Sequence, residues 1–434
     1  RKLLYTVALF VMASACSTKP ESKPYNWEDD LHQRLLTDFC MTEFQVKDYI
    51  RKYIPDVTDE QMRQWEASKA LECMVLDGEK RYFRNAGPNL FRVDSTCYGL
   101  KMAKEGTSPS GSEKVNMENL PEIISAVKKE GEVIVAPKRM RVTYTLTVDT
   151  NAVPAGKIIR CWLPYPRQDQ ARQQDVKFIS ASEPQYTFSS PECRHSTLYM
   201  EKRAVEGEPT VFSETFEFSA NGEWHNLKPD DVHPYDTTTS LYKEYTAERE
   251  KHIVFSPRLR ELAAKLTAGE SNPYLKAKRI FRWVNDNFPW ASAREYSTIE
   301  NIPEYVLDNR HGDCGQVSLL FITLCRISGI PAHFQSGFMM HPRAWNLHDW
   351  AEIYFEGVGI PAFARNADEE YFFLGGIDSW RMIVNTDYGM PLQPEKQYPR
   401  SETVDFQRGE VEWEGGNLYF PQWDYHMDID YLNY

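Results

Sequence analysis

Hydrophobic and polar positions change period along this chain, and each change predicts a different kind of element. Leu31, Leu35 and Phe39 recur four residues apart, and Phe44, Tyr49 and Ile50 continue the pattern after a break. That spacing predicts helices from Trp27 to about Leu100. Thr58-Asp59-Glu60-Gln61 reads as a helix start, followed by the apolar Met62 and Trp65. Gly106 to Ser112, rich in Gly, Ser and Pro, reads as a linker. From Val133 to Phe218 the period becomes two. Val142, Tyr144, Leu146 and Val148 share one face of a strand, and Ile158 to Pro164, Val176 to Ile179 and Thr215 to Phe218 fit further strands. Helical spacing returns at about Glu244. One stripe is Leu259, Leu262, Ala263 and Leu266; a second is Ile280, Trp283, Val284 and Phe288. A third helix runs from Gly315 to Ser328 and ends at Gly329-Ile330-Pro331. Strands are expected at Ala332 to Phe338 and Trp350 to Phe355, and Arg400 to Tyr434 is expected to fold back as an irregular extension.

These periods predict an α+β multidomain chain: a helical N-terminal module over residues 27–112, a β-sandwich module over 133–225, a mixed α/β unit over 244–399 and a C-terminal extension over 400–434. The length of 434 residues fits about three domains at roughly 150 residues each. Charged residues at 26% and hydrophobic ones at 41% exclude a largely disordered chain and a multi-span membrane protein. The net charge of −13, without a long basic run, argues against nucleic acid as a partner, because phosphate contacts need clustered Lys and Arg.

The first residues carry a separate signal. Arg1 and Lys2 precede an apolar run from Leu3 to Ala13, too short to span a bilayer, and the small residues Ala13, Ser14 and Ala15 lead into Cys16. The segment resembles the lipobox of bacterial lipoproteins. That resemblance implies a signal peptide over residues 1–15, lipid on Cys16, a polar tether over 16–26, and a body held at the bacterial cell envelope by its anchor. A body of this charge would be repelled by anionic head groups.

The candidate chemistry sits at Asn309-Arg310-His311-Gly312-Asp313-Cys314-Gly315-Gln316, directly before the third helix. A Cys at a helix N-terminus meets unpaired amides and the positive end of the macrodipole, so its thiol pKa is expected to fall. Its own N–H is suitably placed to hold an oxyanion. Downstream, His348 opens the strand His348-Asp349-Trp350-Ala351-Glu352-Ile353-Tyr354. A nucleophilic Cys on a helix start and a His on a neighbouring strand form the papain-type pair of nucleophile and base. Trp290, upstream, is a candidate to donate its indole N–H to an oxyanion, with a core or groove-wall position as the alternative. His311 is a weak candidate, since residues this close in sequence to a nucleophile usually point away from it.

Together Gly312-Asp313-Cys314, Arg326-Ile327-Ser328-Gly329-Ile330-Pro331-Ala332, Gly337-Phe338 and His348 to Tyr354 resemble the transglutaminase-like superfamily, and Trp283-Val284-Asn285-Asp286-Asn287 and Trp162-Leu163-Pro164 fit too. The resemblance implies a papain-like core over about Glu244 to Asn385, with Cys314 as nucleophile and His348 as base. It implies a cysteine peptidase, amidase or acyl transferase acting on a peptide or protein. The third member departs from the pattern. Where the family places an Asp that orients the His, this chain reads Gly359-Ile360-Pro361-Ala362-Phe363-Ala364. Asp368 and Asn366 are the nearest substitutes. The competing expectation is therefore a catalytically impaired module that binds peptide or glycan.

The remaining cysteines are Cys40, Cys73, Cys97, Cys161, Cys193 and Cys325. In an exported chain Cys161 and Cys193 could pair, and Cys325, about three helical turns past Cys314, is expected to be buried and inert. There is no close Cys pair, no His-Glu-x-x-His helix and no Gly-rich phosphate loop, so no metal and no cofactor are expected.

Overall fold

The computed structural model describes residues 25–358, 362–363 and 372–433. The signal segment and Cys16 lie outside the described residues, as do Asp368 and Asn366. The N-terminal part contains helices α1 (Trp27–Asp38), α2 (Glu43–Arg51) and α3 (Asp59–Ala67), strands β1 (Cys73–Leu76) and β2 (Glu79–Tyr82), then α4 (Ala86–Val93) and α5 (Ser95–Glu105). Thr42 and Thr58 cap α2 and α3 through reciprocal boxes with Gln45 and Gln61. Phe39, Ile50, Tyr82, Phe83 and Phe91 close its core. The β1–β2 hairpin is an addition to the helical expectation. It turns at Asp77-Gly78, both with positive φ (52° and 79°), the dipeptide that two-residue hairpins favour.

The expected linker is also corrected. Helix α6 (Gly111–Glu130) starts inside it. Ser110 and Glu113 form a capping box, so the polar run that reads as a flexible join is a helix N-terminus. Leu120 and Ile123 of α6 are buried against Trp350 and Phe373, which ties this helix to the C-terminal half of the chain.

Next come β3 (Ile134–Val148), β4 (Ile158–Pro164), β5 (Gln173–Ala181), β6 (Tyr186–Phe188), β7 (Thr197–Arg203) and β8 (Thr210–Trp224). Helices α7 (Ser240–Tyr245), α8 (Pro257–Leu266), α9 (Pro273–Asn287), α10 (Ile302–Asn309) and α11 (Cys314–Ile327) follow. The chain closes with β9 (Ala332–Met339), β10 (Asn346–Ile353), β11 (Ala362–Phe363), β12 (Gly376–Ile377), β13 (Arg381–Thr386), β14 (Glu410–Trp413), β15 (Gly416–Leu418) and β16 (Trp423–Tyr431). One sheet runs β12-β8-β3-β16 with β5 also on β8; a second runs β15-β14-β4-β7-β6. Their apolar faces meet over Tyr144, Leu146, Phe212, Leu163 and Val411. Thus the C-terminal extension is not irregular. Its strands β14 and β16 pair with β4 and β3 and complete both layers. The expected Cys161–Cys193 bridge is absent: every described cysteine is free, and the Cys193 thiol donates to the His195 carbonyl at 3.2 Å.

The site rests on the third sheet, β11-β10-β9-β13, and on α11. Every residue of α11 from Gly315 to Arg326 is buried, Cys325 included, as a helix that is apolar all round must be. Leu319, Leu320 and Phe321 of α11 share a core with Ala351 and Ile353 of β10, while Trp350 of the same strand is buried on the opposite face. This alternation fixes which residues of β10 can look towards α11.

Candidate active site

Asp313 sets the entry to α11. Its carboxylate accepts from the Gln316 N–H at 3.0 Å, and the Gln316 side chain accepts from the Asp313 N–H at 3.2 Å. This box holds Cys314 at the first turn, half-buried, at the floor of a cleft of about 570 Å³. The cleft is walled by α11, β10, the Trp290–Tyr296 segment and the loop from Ser401 to Arg408.

The thiol does not pair with His348 in this structure. It donates to Asp349 Oδ2 at 3.6 Å. Asp349 shares the parity of Ala351 and Ile353, and so faces α11. His348 shares the parity of Trp350, with ring centroids 6.2 Å apart. His348 still borders the cleft, but its Nδ1 is buried without a hydrogen-bond partner. Burial, with Arg381 and His341 nearby, holds the imidazole far below its ordinary pKa; Asp378 opposes them. Asp378 is itself occupied, by Arg381 Nε at 2.8 Å and by His341 at 3.3 Å.

Asp349 is tightly held. Gln407 Nε2 donates to its Oδ1 at 2.9 Å and to the carbonyls of His348 and Gly337 at 2.9 Å each. The Tyr296 hydroxyl donates to Asp313 Oδ1 at 2.6 Å and lies 3.5 Å from Asp349 Oδ2. Gly315 makes this packing possible: a Cβ there would meet the Tyr296 hydroxyl at 2.4 Å and Asp349 Oδ2 at 2.5 Å.

The expected fall in the thiol pKa is overturned. Burial, then the Asp349 and Asp313 carboxylates, push the Cys314 thiol well above its ordinary value. Two carboxylates this close outweigh the partial charge of a helix end. Asp349 is in turn pushed up by burial and by Asp405 and Asp313. Asp349, Asp405 and Gln407 escape the sequence reading. Asp349 stands inside the quoted motif, but only packing reveals that its face is the one towards α11. Asp405 and Gln407 come from a distant loop with no local signal.

Trp290 is at the rim, 45% exposed, and bridges in parallel to Gly312. The Arg92 guanidinium lies 4.9 Å above its ring. His311 is buried away from the cleft, and burial pushes it down to about 4. No cluster of three His, Cys, Asp or Glu able to hold a metal occurs among the described residues.

Residues 260–362, from α8 to β11, match the family model of the transglutaminase-like superfamily. This segment is transglutaminase-like. Among curated proteins, none matches this chain. Solved structures with likeness include a candidate cysteine protease from Cytophaga hutchinsonii, 15% identical, with a TM-score of 0.47 over 69% of this chain and 93% of that one. The periplasmic domain of TgpA from Pseudomonas aeruginosa is 14% identical, with a TM-score of 0.27 over 51% of this chain and 86% of its own. A candidate protease from Parabacteroides distasonis is 9% identical, with a TM-score of 0.24 over 68% and 65%. At TM-scores below 0.5 these likenesses carry no argument, and the chemistry of the transglutaminase-like segment rests on its own geometry. No described helix is long and apolar enough to cross a membrane.

Proposed function

We propose that this protein is a transglutaminase-like cysteine hydrolase or acyl transferase acting on amide bonds of a peptide or protein, with Cys314 as nucleophile. The observation that carries this reading is Cys314 itself, heading the buried helix α11 at the floor of a walled cleft inside the matched segment. Cys314 Sγ attacks the amide carbonyl carbon, the C–N bond breaks, and the thiol proton leaves with the amine. Water or a second amine then releases the acyl group from the thioester and restores the thiol. The Cys314 N–H is suited to hold the oxyanion, with Trp290 as the second candidate donor. His348 is the proton carrier that the family resemblance implies. Asp368 and Asn366 are the candidates to orient it.

A second reading, a module that binds peptide or glycan without catalysis, is favoured by one observation: the partner of the thiol is a carboxylate that keeps the proton on sulfur. Mass spectrometry of wild type, Cys314→Ala and His348→Ala after exposure to a peptide library separates the two. A thioester on Cys314 and cleaved or transferred amides, both lost in Cys314→Ala, support the enzyme. Peptide retained without an adduct or cleavage supports the binder.

We also place the protein at the bacterial cell envelope, lipid-anchored through Cys16; the support is the run from Leu3 to Cys16. Labelled palmitate should enter wild type and not Cys16→Ala.

A further inference from the structure

The cleft above Cys314 has a charge imbalance. Five carboxyl residues line it against three arginines, and the arginines are already engaged. Arg408 donates to Glu402 at 2.7 Å and to Glu295 at 2.8 Å. Arg84 bridges Asp38 at 2.8 Å and Glu295 at 3.0 Å. Arg294 leans on Glu72 at 3.7 Å and on the ring of Tyr305.

Asp405 is left out of this pairing. It is only 7% exposed and faces the cleft, yet its carboxyl makes no hydrogen bond or ion pair among the described residues. Only its backbone is used, where Arg400 donates to the carbonyl at 2.5 Å. The acceptors of its side chain are therefore open to a ligand in the cleft. Asp405 acts electrostatically on Asp349, whose Oδ2 accepts the hydrogen bond of the Cys314 thiol. The Tyr296 hydroxyl donates to Asp313 and lies 3.5 Å from Asp349 Oδ2.

We propose that Asp405 and Asp349 form a subsite for a primary ammonium group next to the nucleophile, so that the substrate carries a free amine close to the reacting carbonyl. This rests on the reading of the cleft as an amide-acting site. The ammonium has two sources of identical chemistry: the α-ammonium of an acyl donor with a free N-terminus, or the ε-ammonium of a lysine-like acyl acceptor. Its N–H groups would fill the empty acceptors of Asp405. Its charge would also offset the negative field that Asp349 and Asp313 exert on the thiol. Around this pair stand Glu402, Arg408, Arg400, Glu295 and Asp313, none of which offers Asp405 a hydrogen bond.

The test is calorimetric binding to the full chain carrying Cys314→Ala, which cannot turn substrate over. The probes are alanyl-alanine amide, its N-acetylated form, and Nα-acetyl-lysine amide. At least one ammonium probe should bind about ten-fold more tightly than the neutral acetylated dipeptide; the better of the two identifies the source. Asp405→Asn, which breaks no hydrogen bond of the side chain, should abolish that preference while keeping the wild-type melting temperature. Equal binding of neutral and ammonium probes, no binding of either ammonium probe at millimolar concentration, or an unchanged preference in Asp405→Asn overturns the proposal. Because the thiol is absent, failure here is distinct from failure of Cys314 to form an adduct in wild type.

Discussion

The Cys314 thiol donates to the Asp349 carboxylate at 3.6 Å, and the neighbouring His348 belongs to the other face of the same strand. The proton stays on sulfur because burial, and then the negative field of Asp349 and Asp313, disfavour the thiolate. Removing that charge should free the thiol. Asp349→Asn is expected to lower the Cys314 pKa, and so to raise its iodoacetamide labelling at neutral pH about ten-fold. The pH dependence of labelling, followed by peptide mapping, measures this. A slower rate in Asp349→Asn would instead make Asp349 the base.

Gly315 tests the same relationship sterically. A methyl group at this position would stand 2.4 Å from the Tyr296 hydroxyl and 2.5 Å from Asp349 Oδ2. Both neighbours are buried and hydrogen-bonded, so neither moves freely. Gly315→Ala should cost about 1–3 kcal/mol despite the better helix propensity of Ala. A lowered urea midpoint with an unchanged m-value is the expected result.

The elements that built this site were unequally legible. The α11 stripe and strands β9 and β10 follow from spacing alone, because their buried faces demand apolar residues at fixed intervals. Position Cys314 was legible for a different reason, from its flanking glycines and a helix start. The choice between His348 and Asp349 was not. Along β10 the set Asp349, Ala351, Ile353 and the set His348, Trp350, Glu352 each contain both polar and apolar residues. The strand is covered on both sides, so alternation cannot say which set meets the helix. Helix α6 hides behind Ser110, whose capping role looks like loop chemistry until Glu113 is paired with it. The hairpin at Asp77-Gly78 carried a plain signal that the helical spacing around it obscured. The C-terminal strands mix aromatic with acidic residues for two reasons: β16 alternates between the sandwich and water, while Glu410 and Glu412 of β14 are buried on ion pairs with Lys396 and Arg160.

Those C-terminal strands should be indispensable. β16 pairs with β3 over nine residues, and the loop before β14 supplies Asp405, Gln407 and Arg408 to the cleft wall. Truncation after Pro399 would strip an edge from each layer of the sandwich and remove the donor that holds Asp349 Oδ1. An exposed apolar sheet edge invites aggregation. The truncated chain is expected to be insoluble, or to lose its cooperative thermal transition in circular dichroism.

Glu214 provides a prediction independent of the cleft. It lies on β8 between Phe212 and Phe216, pairs in register with Tyr144, and points into the sandwich core. It is 1% exposed, and neither carboxyl oxygen has a hydrogen-bond partner. Burial pushes its pKa well above the ordinary carboxylate value, so the folded protein keeps it neutral. The unfolded chain ionises it near about 4.3. The folded state thus binds more protons than the unfolded one above that pH. Its stability is fully present below the unfolded pKa and is lost as pH rises towards the folded pKa. Glu214→Leu removes both the ionisation and the unpaired oxygens while keeping a similar volume. It should stabilise the protein by about 1–3 kcal/mol at pH 8, with the advantage shrinking towards pH 4. Urea denaturation of wild type and variant at both pH values reads the difference, which cancels the other titrating groups common to the two. A variant that is no more stable at pH 8, or whose advantage is the same at pH 4, would show that Glu214 finds a partner in solution.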